Sequence, residues 1–288
     1  MSVSNLTINS KLPLHNSPHR IPVLGFGVYQ SPEHKCVESC KIAFTAGYRH
    51  VDTAQYYANE KAVGRAIRES RVSRSDIFVT TKILSPGNDV ESTYKKIKES
   101  VEKLDGATGY VDLCLIHSPN GGKESRRLMW EALVKAKGEG KVRDIGVSNY
   151  GIGHIEEIKE FSKEWPPVVN QIELHPWCQQ REIVSYCQRN NIVIEAYCPL
   201  VRNEKAHDRV LQSISAKHFG NIDNTNRVLV RWSLQKGWVP LPKSDTATRI
   251  ESNAKVYDFQ LDEEDVERLD DLDQGDKGAL VQAVKNEV

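Results

Sequence analysis

The sequence predicts an α/β fold in which eight parallel strands and their helices close into a (β/α)8, or TIM, barrel. Short apolar runs alternate with longer segments of helical spacing along almost all of the 288 residues. No Pro/Gly-rich linker divides the chain, and its length suits one barrel, so we predict a single domain over residues 1–288. The predicted strands are 23–24, 50–52, 77–81, 111–116, 144–148, 168–171, 192–197 and 239–241.

The segments between these runs carry apolar residues at helical spacing, as Ile97, Val101 and Leu104 illustrate. A helix-start signal supports this assignment. Ser31 is expected to cap the first barrel helix, with Pro32 at its first position.

Two regions depart from the alternation. Residues 6–8 and 12–14, on either side of Asn9 and Ser10, predict a small N-terminal β-hairpin that fills the bottom of the barrel. Residues 209–219 predict an additional amphipathic helix before the last strand, and the tail from Asp262 begins as an acidic helix and then loses clear periodicity. We therefore expect extra helices in the C-terminal part of the chain.

An open, doubly wound sheet is the alternative architecture. It usually carries a glycine-rich phosphate loop after its first strand. Gly25 and Gly27 begin such a pattern, but Gln30 stands where the third glycine belongs. The barrel is therefore favoured.

The charge balance argues for a small ligand rather than a polyanion. The 39 basic and 39 acidic side chains cancel, so we expect no nucleic-acid or membrane partner. No apolar run reaches the roughly 18 residues of a membrane span, and residues 1–14 lack the apolar core of a signal peptide. The six cysteines form no metal-binding motif, so we expect no metal and a cytoplasmic protein with reduced thiols. The net charge of zero gives no sign of oligomerisation, and we expect a monomer.

Polar residues that suit carbonyl reduction follow three successive predicted strands. Asp52 ends the strand 50–52, with Tyr57 five residues later, while Lys82 and His117 follow the strands 77–81 and 111–116. Because the carboxyl ends of barrel strands meet at one mouth, these four side chains are expected to converge there.

Each of the four residue types has a chemical reason to be present. A phenol with a pKa of about 10 is a weak acid at neutral pH. The ammonium of Lys82 is expected to lower the pKa of Tyr57, because it stabilises the phenolate. Asp52 would supply the counter-charge that a buried ammonium needs, and His117 would orient a carbonyl oxygen. Singly, each is more often a surface or capping residue; their joint occurrence at strand ends indicates catalysis.

These motifs resemble the aldo-keto reductase family over residues 21–259. The stretch 47–54, followed by residues 56–57 and 59–60, is similar to the family's first signature, which contains its catalytic aspartate and tyrosine. The resemblance implies that Asp52, Tyr57, Lys82 and His117 are the catalytic residues.

The resemblance also implies a nicotinamide cofactor at the strand ends. Ser148, Asn149 and Gln171 would bond its carboxamide, and Tyr197 would stack under its ring. Lys243 and Arg249 would pair with a 2′-phosphate. The full set of implied cofactor-binding residues is Gly27, Val28, Tyr29, Asp52, Ser148, Asn149, Gln171, Tyr197, Pro199, Leu200, Lys243, Ser244, Arg249 and Asn253.

Two departures from the family pattern affect the choice of cofactor. Ser252 stands where relatives often have glutamate, so a contact to the adenine amine is lost or moved. Asp245, two residues after Lys243, either opposes a 2′-phosphate or accepts a bond from a free ribose hydroxyl. We therefore expect NADP(H), with NAD(H) as the alternative.

The substrate side is expected to be open. Many relatives place tryptophan where Leu84 stands, and the segments 119–125 and 201–208 are short by the family's standard. The residues expected to line this side are Tyr29, Tyr56, Leu84, His117, Ser118 and Trp177. We expect broad acceptance of aldehydes and some ketones.

The resemblance implies NADPH-dependent reduction of a carbonyl to an alcohol by hydride transfer from nicotinamide C4, with Tyr57 as general acid. One alternative is a nicotinamide-binding regulatory subunit of the same fold with little turnover, which the complete set of four catalytic residues argues against. A short-chain dehydrogenase is a further alternative, but that class carries a glycine-rich phosphate loop, which is not complete in this chain.

Overall fold

Eight parallel strands form the centre of the molecule in the computed structural model, which describes residues 6–286. Two short strands, β1 (Lys11–Pro13) and β2 (Arg20–Pro22), form a separate hairpin. The eight parallel strands are β3 (Phe26–Gly27), β4 (His50–Asp52), β5 (Phe78–Ile83), β6 (Val111–Ile116), β7 (Val142–Ser148), β8 (Val169–Glu173), β9 (Val193–Tyr197) and β10 (Val239–Pro240). The helices are α1 (Glu33–Thr45), α2 (Glu60–Glu69), α3 (Val90–Asp105), α4 (Gly122–Gly138), α5 (Ile152–Glu157), α6 (Arg181–Arg189), α7 (Arg209–Phe219), α8 (Thr225–Gln235), α9 (Ala247–Ala254) and α10 (Glu263–Asp270).

The strands β3 to β10 pair in chain order, and every pair is parallel. The amides of Gly25 and Gly27 donate to the carbonyls of Pro240 and Pro242, both at 3.1 Å, which joins the first strand of the sheet to the last. The predicted parallel α/β fold is confirmed, and the curled sheet agrees with the predicted barrel.

The apolar runs are explained by burial on both faces of the sheet. Every residue of β5 and β6 is buried. Inside the sheet, Leu14 and Ile21 of the N-terminal segment belong to one apolar cluster with Phe78 and Leu113. The hairpin therefore covers the amino ends of the strands, and the mouth at their carboxyl ends is left for the polar residues.

The hairpin itself is present, but its strands differ from those predicted. β1 pairs with β2 in antiparallel register, whereas residues 6–8 form no strand. Residues 23–24, predicted as the first barrel strand, precede it, because the amide of Val23 bonds the carbonyl of Ser10 and extends the hairpin contact. Ser31 is not a helix cap: Pro32 precedes α1, and the Ser31 hydroxyl bonds Asp245.

The predicted extra helices are α7, which spans the predicted residues, and α10, whose preceding Asp262 side chain accepts a bond from the amide of Asp265 at 2.9 Å. After α10 the chain has no further α-helix or strand within the described residues and runs back to the mouth of the sheet. Among residues 6–286, no helix has the length and apolar character needed to span a membrane.

Candidate active site

A cleft of about 680 Å³ opens at the carboxyl ends of the barrel strands. This volume is typical of small-molecule sites. The residues that line it are Gly27, Tyr29, Gln30, Asp52, Tyr56, Tyr57, Leu84, His117, Ser118, Asn120, Ser148, Asn149, Gln171, Tyr197, Cys198, Pro199, Leu200, Arg202, Leu241, Lys243, Val281 and Gln282.

The side chain of Lys82 connects two of the predicted catalytic residues. Its Nζ donates to the two carboxylate oxygens of Asp52 at 2.7 and 2.8 Å, to the Thr53 carbonyl at 3.0 Å and to the Tyr57 hydroxyl at 3.3 Å. Lys82 is only 1% exposed and Asp52 only 3%. Although burial acts to lower it, the pKa of Lys82 is raised, because Asp52 stabilises the ammonium. A permanent cation therefore lies behind the phenol.

The pKa of Tyr57 moves in the direction opposite to the sequence expectation. Burial raises it above the ordinary tyrosine value, and the Asp52 carboxylate raises it further, while Lys82 only partly offsets these effects. The expectation of a lowered pKa was wrong because it counted the ammonium without the burial. At neutral pH Tyr57 is a protonated phenol, which is the form that can give up a proton.

The imidazole of His117 stands edge-on to two tyrosine rings. Its centroid lies 5.7 Å from that of Tyr57 and 5.9 Å from that of Tyr56. Burial, followed by the nearby Lys82 charge, lowers the pKa of His117 to about 3. The ring is therefore neutral at physiological pH and can donate its single N–H to a carbonyl oxygen.

Amide and hydroxyl groups of β7, β8 and β9 and their ends also line the cleft. The Gln171 Nε2 donates to Asp52 at 2.9 Å, and the Asn149 Nδ2 donates to the His117 carbonyl at 3.1 Å. The Tyr197 hydroxyl donates to the Asn149 Oδ1 at 2.9 Å, and the Ser148 hydroxyl donates to the Gln171 carbonyl at 2.8 Å. A planar carboxamide matches this set of donors and acceptors, with the Tyr197 ring beside it.

A second carboxylate lies beneath the cleft and was not predicted. Glu195 has no exposed surface, and its Oε2 accepts from the same Gln171 amide at 2.7 Å. Burial, and then the charge of Asp52, raise the pKa of Glu195 to about 8. A charged residue type within the otherwise apolar predicted strand 192–197 was the signal available in the sequence.

Lys243, which also lines the cleft, is already paired. Its Nζ lies 2.6 Å from the carboxylate of Asp245, which also accepts from the hydroxyls of Ser31 and Ser39. Although burial acts to raise it, the pKa of Asp245 is lowered by these three partners. The opposing carboxylate expected from the sequence is therefore in contact with the proposed phosphate-binding lysine.

Four of the implied cofactor residues lie outside the cleft lining. Val28 is fully buried, and its amide bonds the Asp52 carbonyl. Ser244 and Asn253 are buried, with Asn253 accepting from Asn226, while Arg249 is exposed on α9. The other implied cofactor residues line the cleft: Gly27, Tyr29, Asp52, Ser148, Asn149, Gln171, Tyr197, Pro199, Leu200 and Lys243.

The outer rim of the cleft is apolar and aromatic. Tyr56 is 59% exposed, Leu84 47% and Tyr29 36%. The Tyr29 and Tyr56 rings are stacked at 6.5 Å, within reach of a flat ligand. These residues, with His117 and Ser118, are the expected substrate residues that line the cleft.

Trp177 is a correction to the expected substrate residues. It is 2% exposed and does not line the cleft in the part of the chain that the structure describes. The tail covers it: the Gln274 amide bonds the Trp177 carbonyl at 2.9 Å, and Gly278 packs so closely that an added Cβ would overlap this oxygen. Val281 and Gln282 of the tail reach the cleft instead, and no periodicity in the sequence signalled this.

The residues present fit a nicotinamide cofactor that carries phosphate groups. Ser148, Asn149 and Gln171 offer the hydrogen-bonding groups that a carboxamide requires, and Arg202 and Lys243 bring positive charge to the same cleft. Within residues 6–286, no three His, Cys, Asp or Glu side chains are grouped so that they could bind a metal ion.

Comparisons with known proteins agree with this geometry. Residues 24–274 match the model of the aldo/keto reductase family. The chain is 38% identical to a glyoxal reductase of Bacillus subtilis over 272 residues, which are 94% of this chain and 95% of that protein. A crystal structure of an aldo/keto reductase from Brucella melitensis superposes with a TM-score of 0.86 at 39% identity, covering 93% of this chain and all of that one. A Bombyx mori aldo-keto reductase in complex with NADP gives a TM-score of 0.83 at 28% identity, covering 94% of each chain.

Proposed function

Since the chain belongs to the aldo/keto reductase family of NAD(P)H-dependent oxidoreductases, we propose that it reduces aldehydes and ketones to alcohols with NADPH, and that Tyr57 supplies the proton. The observation that carries this proposal is the chain of contacts from Asp52 through Lys82 to the Tyr57 hydroxyl, at the floor of a cleft that His117 also lines.

The proposed proton transfer follows from the charges of these groups. The reduced nicotinamide, when bound, supplies the hydride to the carbonyl carbon. The neutral N–H of His117 holds the carbonyl oxygen, and the protonated phenol of Tyr57 gives its proton to that oxygen as negative charge develops. The ammonium of Lys82 stabilises the phenolate that is left, and Asp52 keeps this ammonium in place until solvent returns a proton to Tyr57.

NADP(H) is the proposed cofactor. The relative from Bombyx mori is in complex with NADP, and two cations of this chain, Arg202 and Lys243, line the same cleft as Tyr57. The contact between Asp245 and Lys243 opposes a 2′-phosphate, so NAD(H) is the alternative that binding experiments have to compare.

The proposed substrates are small and aromatic aldehydes. The stacked pair of Tyr29 and Tyr56, together with exposed Leu84, offers a flat apolar wall beside the catalytic groups. The similarity to a glyoxal reductase supports the inclusion of small dicarbonyl compounds. A monomeric state, a cytoplasmic location and a single domain over residues 1–288 stay predictions from the sequence.

The neighbouring tyrosines provide a matched test. Tyr57→Phe removes the hydroxyl that contacts Lys82, and Tyr56→Phe removes a hydroxyl from the 59% exposed neighbour. We expect Tyr57→Phe to lose on the order of 10²–10⁴-fold in kcat for NADPH oxidation with an aromatic aldehyde, at unchanged NADPH affinity by fluorescence titration. Tyr56→Phe is expected to keep kcat within about threefold. Near-normal turnover of Tyr57→Phe would refute the assignment.

A further inference from the structure

We propose that Glu173, which does not line the cleft, is a positioning residue that holds the C-terminal strap (residues 279–284) against the rim and so sets which aldehydes the site prefers. The part of this inference that concerns aldehydes rests on the proposed function. The part that concerns the strap does not.

The contacts of Glu173 are unusual for a residue in a barrel strand. It ends β8 and has no exposed surface. Its Oε1 accepts from the amide of Leu280 at 2.6 Å, and its Oε2 accepts from the amides of Val281 and Gln282 at 2.8 and 2.7 Å. Three consecutive backbone donors, more than 100 residues away in sequence, therefore converge on one carboxylate.

The negative charge of Glu173 is stabilised where it stands. His175 Nε2 lies 3.0 Å from the Glu173 Oε1. Burial acts to raise the pKa of Glu173, but the bonds from His175 and the three strap amides outweigh it, and the pKa is lowered. Hydrogen bonds to an ionised acceptor are roughly twice as strong as neutral ones. The anchor is therefore a charged one.

A second contact holds the strap on the same side of the mouth. The Gln180 side chain donates to the Glu173 carbonyl at 2.6 Å and accepts from the amide of Val284 at 2.8 Å. Residues 279–284 form no helix or strand of their own, so these side chains supply the fixed partners that regular structure would otherwise give.

The anchor leaves the strap side chains available to the cleft. In the strap Glu173 bonds only the backbone amides, and Val281 and Gln282 line the cleft, with Val281 52% exposed. Because Tyr57 and Val281 line one cleft, an aromatic aldehyde bound at Tyr57 is expected to gain apolar contact with this rim, whereas a two- or three-carbon dicarbonyl is expected to be too short for it. Loosening the strap is therefore expected to weaken binding of the larger substrate selectively.

Amide hydrogen exchange tests the anchor without any assumption about activity. In Glu173→Gln an N–H group replaces one acceptor oxygen and faces the strap amides. We expect exchange at residues 280–282 to accelerate by about tenfold or more. The matched control is Glu99→Gln, which makes the same chemical change at an exposed position on α3 and is expected to leave exchange in the strap unchanged. Unchanged exchange in Glu173→Gln would overturn the proposal.

Steady-state kinetics test the consequence for selectivity. With NADPH saturating, Glu173→Gln is expected to raise KM for 4-nitrobenzaldehyde by about tenfold, because the contact with Val281 that substrate binding would bury is lost. The kcat for this substrate, and both kcat and KM for methylglyoxal, are expected to stay within about twofold of the wild-type values. A chain that ends at Ala279 is expected to show the same loss. In that shortened chain Glu173→Gln should have no further effect on the ratio of the two kcat/KM values.

The outcomes separate the two proposals. If Glu173→Gln lowers selectivity equally in the full-length and shortened chains, it does not act through the strap and the inference fails. A fall in kcat for both substrates would likewise assign Glu173 to the chemical step and overturn it. If no variant or wild-type protein oxidises NADPH with any aldehyde, the proposed function fails, while the exchange result still decides the role of Glu173.

Discussion

Replacing Lys82 by methionine removes the cation that contacts Asp52 and leaves a carboxylate buried. Both side chains are less than 5% exposed, and the ammonium donates to both carboxylate oxygens. Removing one partner of such a pair costs about 3–5 kcal/mol, because the other charge stays buried without compensation. At about 2 °C per kcal/mol for a chain of this size, Lys82→Met is expected to lower the melting temperature by about 6–10 °C.

The double variant Asp52→Asn/Lys82→Met separates stability from catalysis. With both charges gone, more than half of the lost stability should return, because the desolvation penalty has gone too. Turnover is expected to be low in Lys82→Met and to stay equally low in the double variant, because both lack the Lys82 ammonium that stabilises the Tyr57 phenolate.

The measurement is thermal unfolding at pH 7 together with NADPH oxidation. The pair is fully formed at this pH: the pKa of Lys82 is raised, so its contribution is lost only as pH rises through that value. If the melting-temperature changes of Lys82→Met and of the single variant Asp52→Asn add up to that of the double variant, or if Lys82→Met keeps near-normal turnover, the reasoning is refuted.

Three further predictions follow from the titration and pairing of single groups. Because the pKa of His117 is lowered to about 3 and that of Tyr57 is raised, kcat/KM for aldehyde reduction should be constant from about pH 5 to about pH 9. A change in slope at about pH 6.5 that His117→Gln abolishes would contradict this. Asp245→Asn should tighten NADPH binding about fivefold and NADH binding less, because Lys243 loses its ion pair with Asp245 and becomes available to a 2′-phosphate. Equal effects on the two cofactors in fluorescence titrations would contradict this prediction. Glu195→Gln should raise the melting temperature more at pH 8 than at pH 5. The pKa of Glu195 is raised to about 8, so the stability of the wild-type protein falls as pH rises from about 4.3 towards that value. Equal changes in melting temperature at both pH values would exclude a buried, protonated Glu195.

The sequence predicted best the elements whose pattern is local. The strand 111–116, the strand 50–52 and the helix 209–219 have the predicted bounds, because an apolar run or helical spacing marks each of them. The N-terminal strands were misplaced because bonds between distant residues define them. The Val23 amide pairs with the Ser10 carbonyl, and the Gly25 amide with that of Pro240, and neither bond leaves a periodic signal in the chain.

The candidate site shows the same division between local signals and tertiary context. The sequence identified the residue types at the mouth, and the structure brings Asp52, Tyr57 and His117 into one cleft with Lys82 directly behind them. The direction of the Tyr57 pKa shift could not be predicted, because it depends on how much burial opposes the ammonium. Burial is a property of the assembled barrel rather than of the residues near a tyrosine in sequence.

In our two proposals the chemical step and the substrate preference depend on different parts of the barrel. The proposed proton-transfer groups belong to strands β4 to β6 and the segments that follow them, where Lys82 bonds Asp52 and Tyr57. Part of the rim is formed by Val281 and Gln282 of the strap, whose backbone amides bond the Glu173 carboxylate at the end of β8. Because that attachment does not depend on the side chains at residues 280–282, substitutions there can change the shape of the rim while Lys82 and its partners keep their positions. Exchanging Val281 for residues of different size should therefore shift KM values among aldehydes and leave the proton-transfer step unchanged.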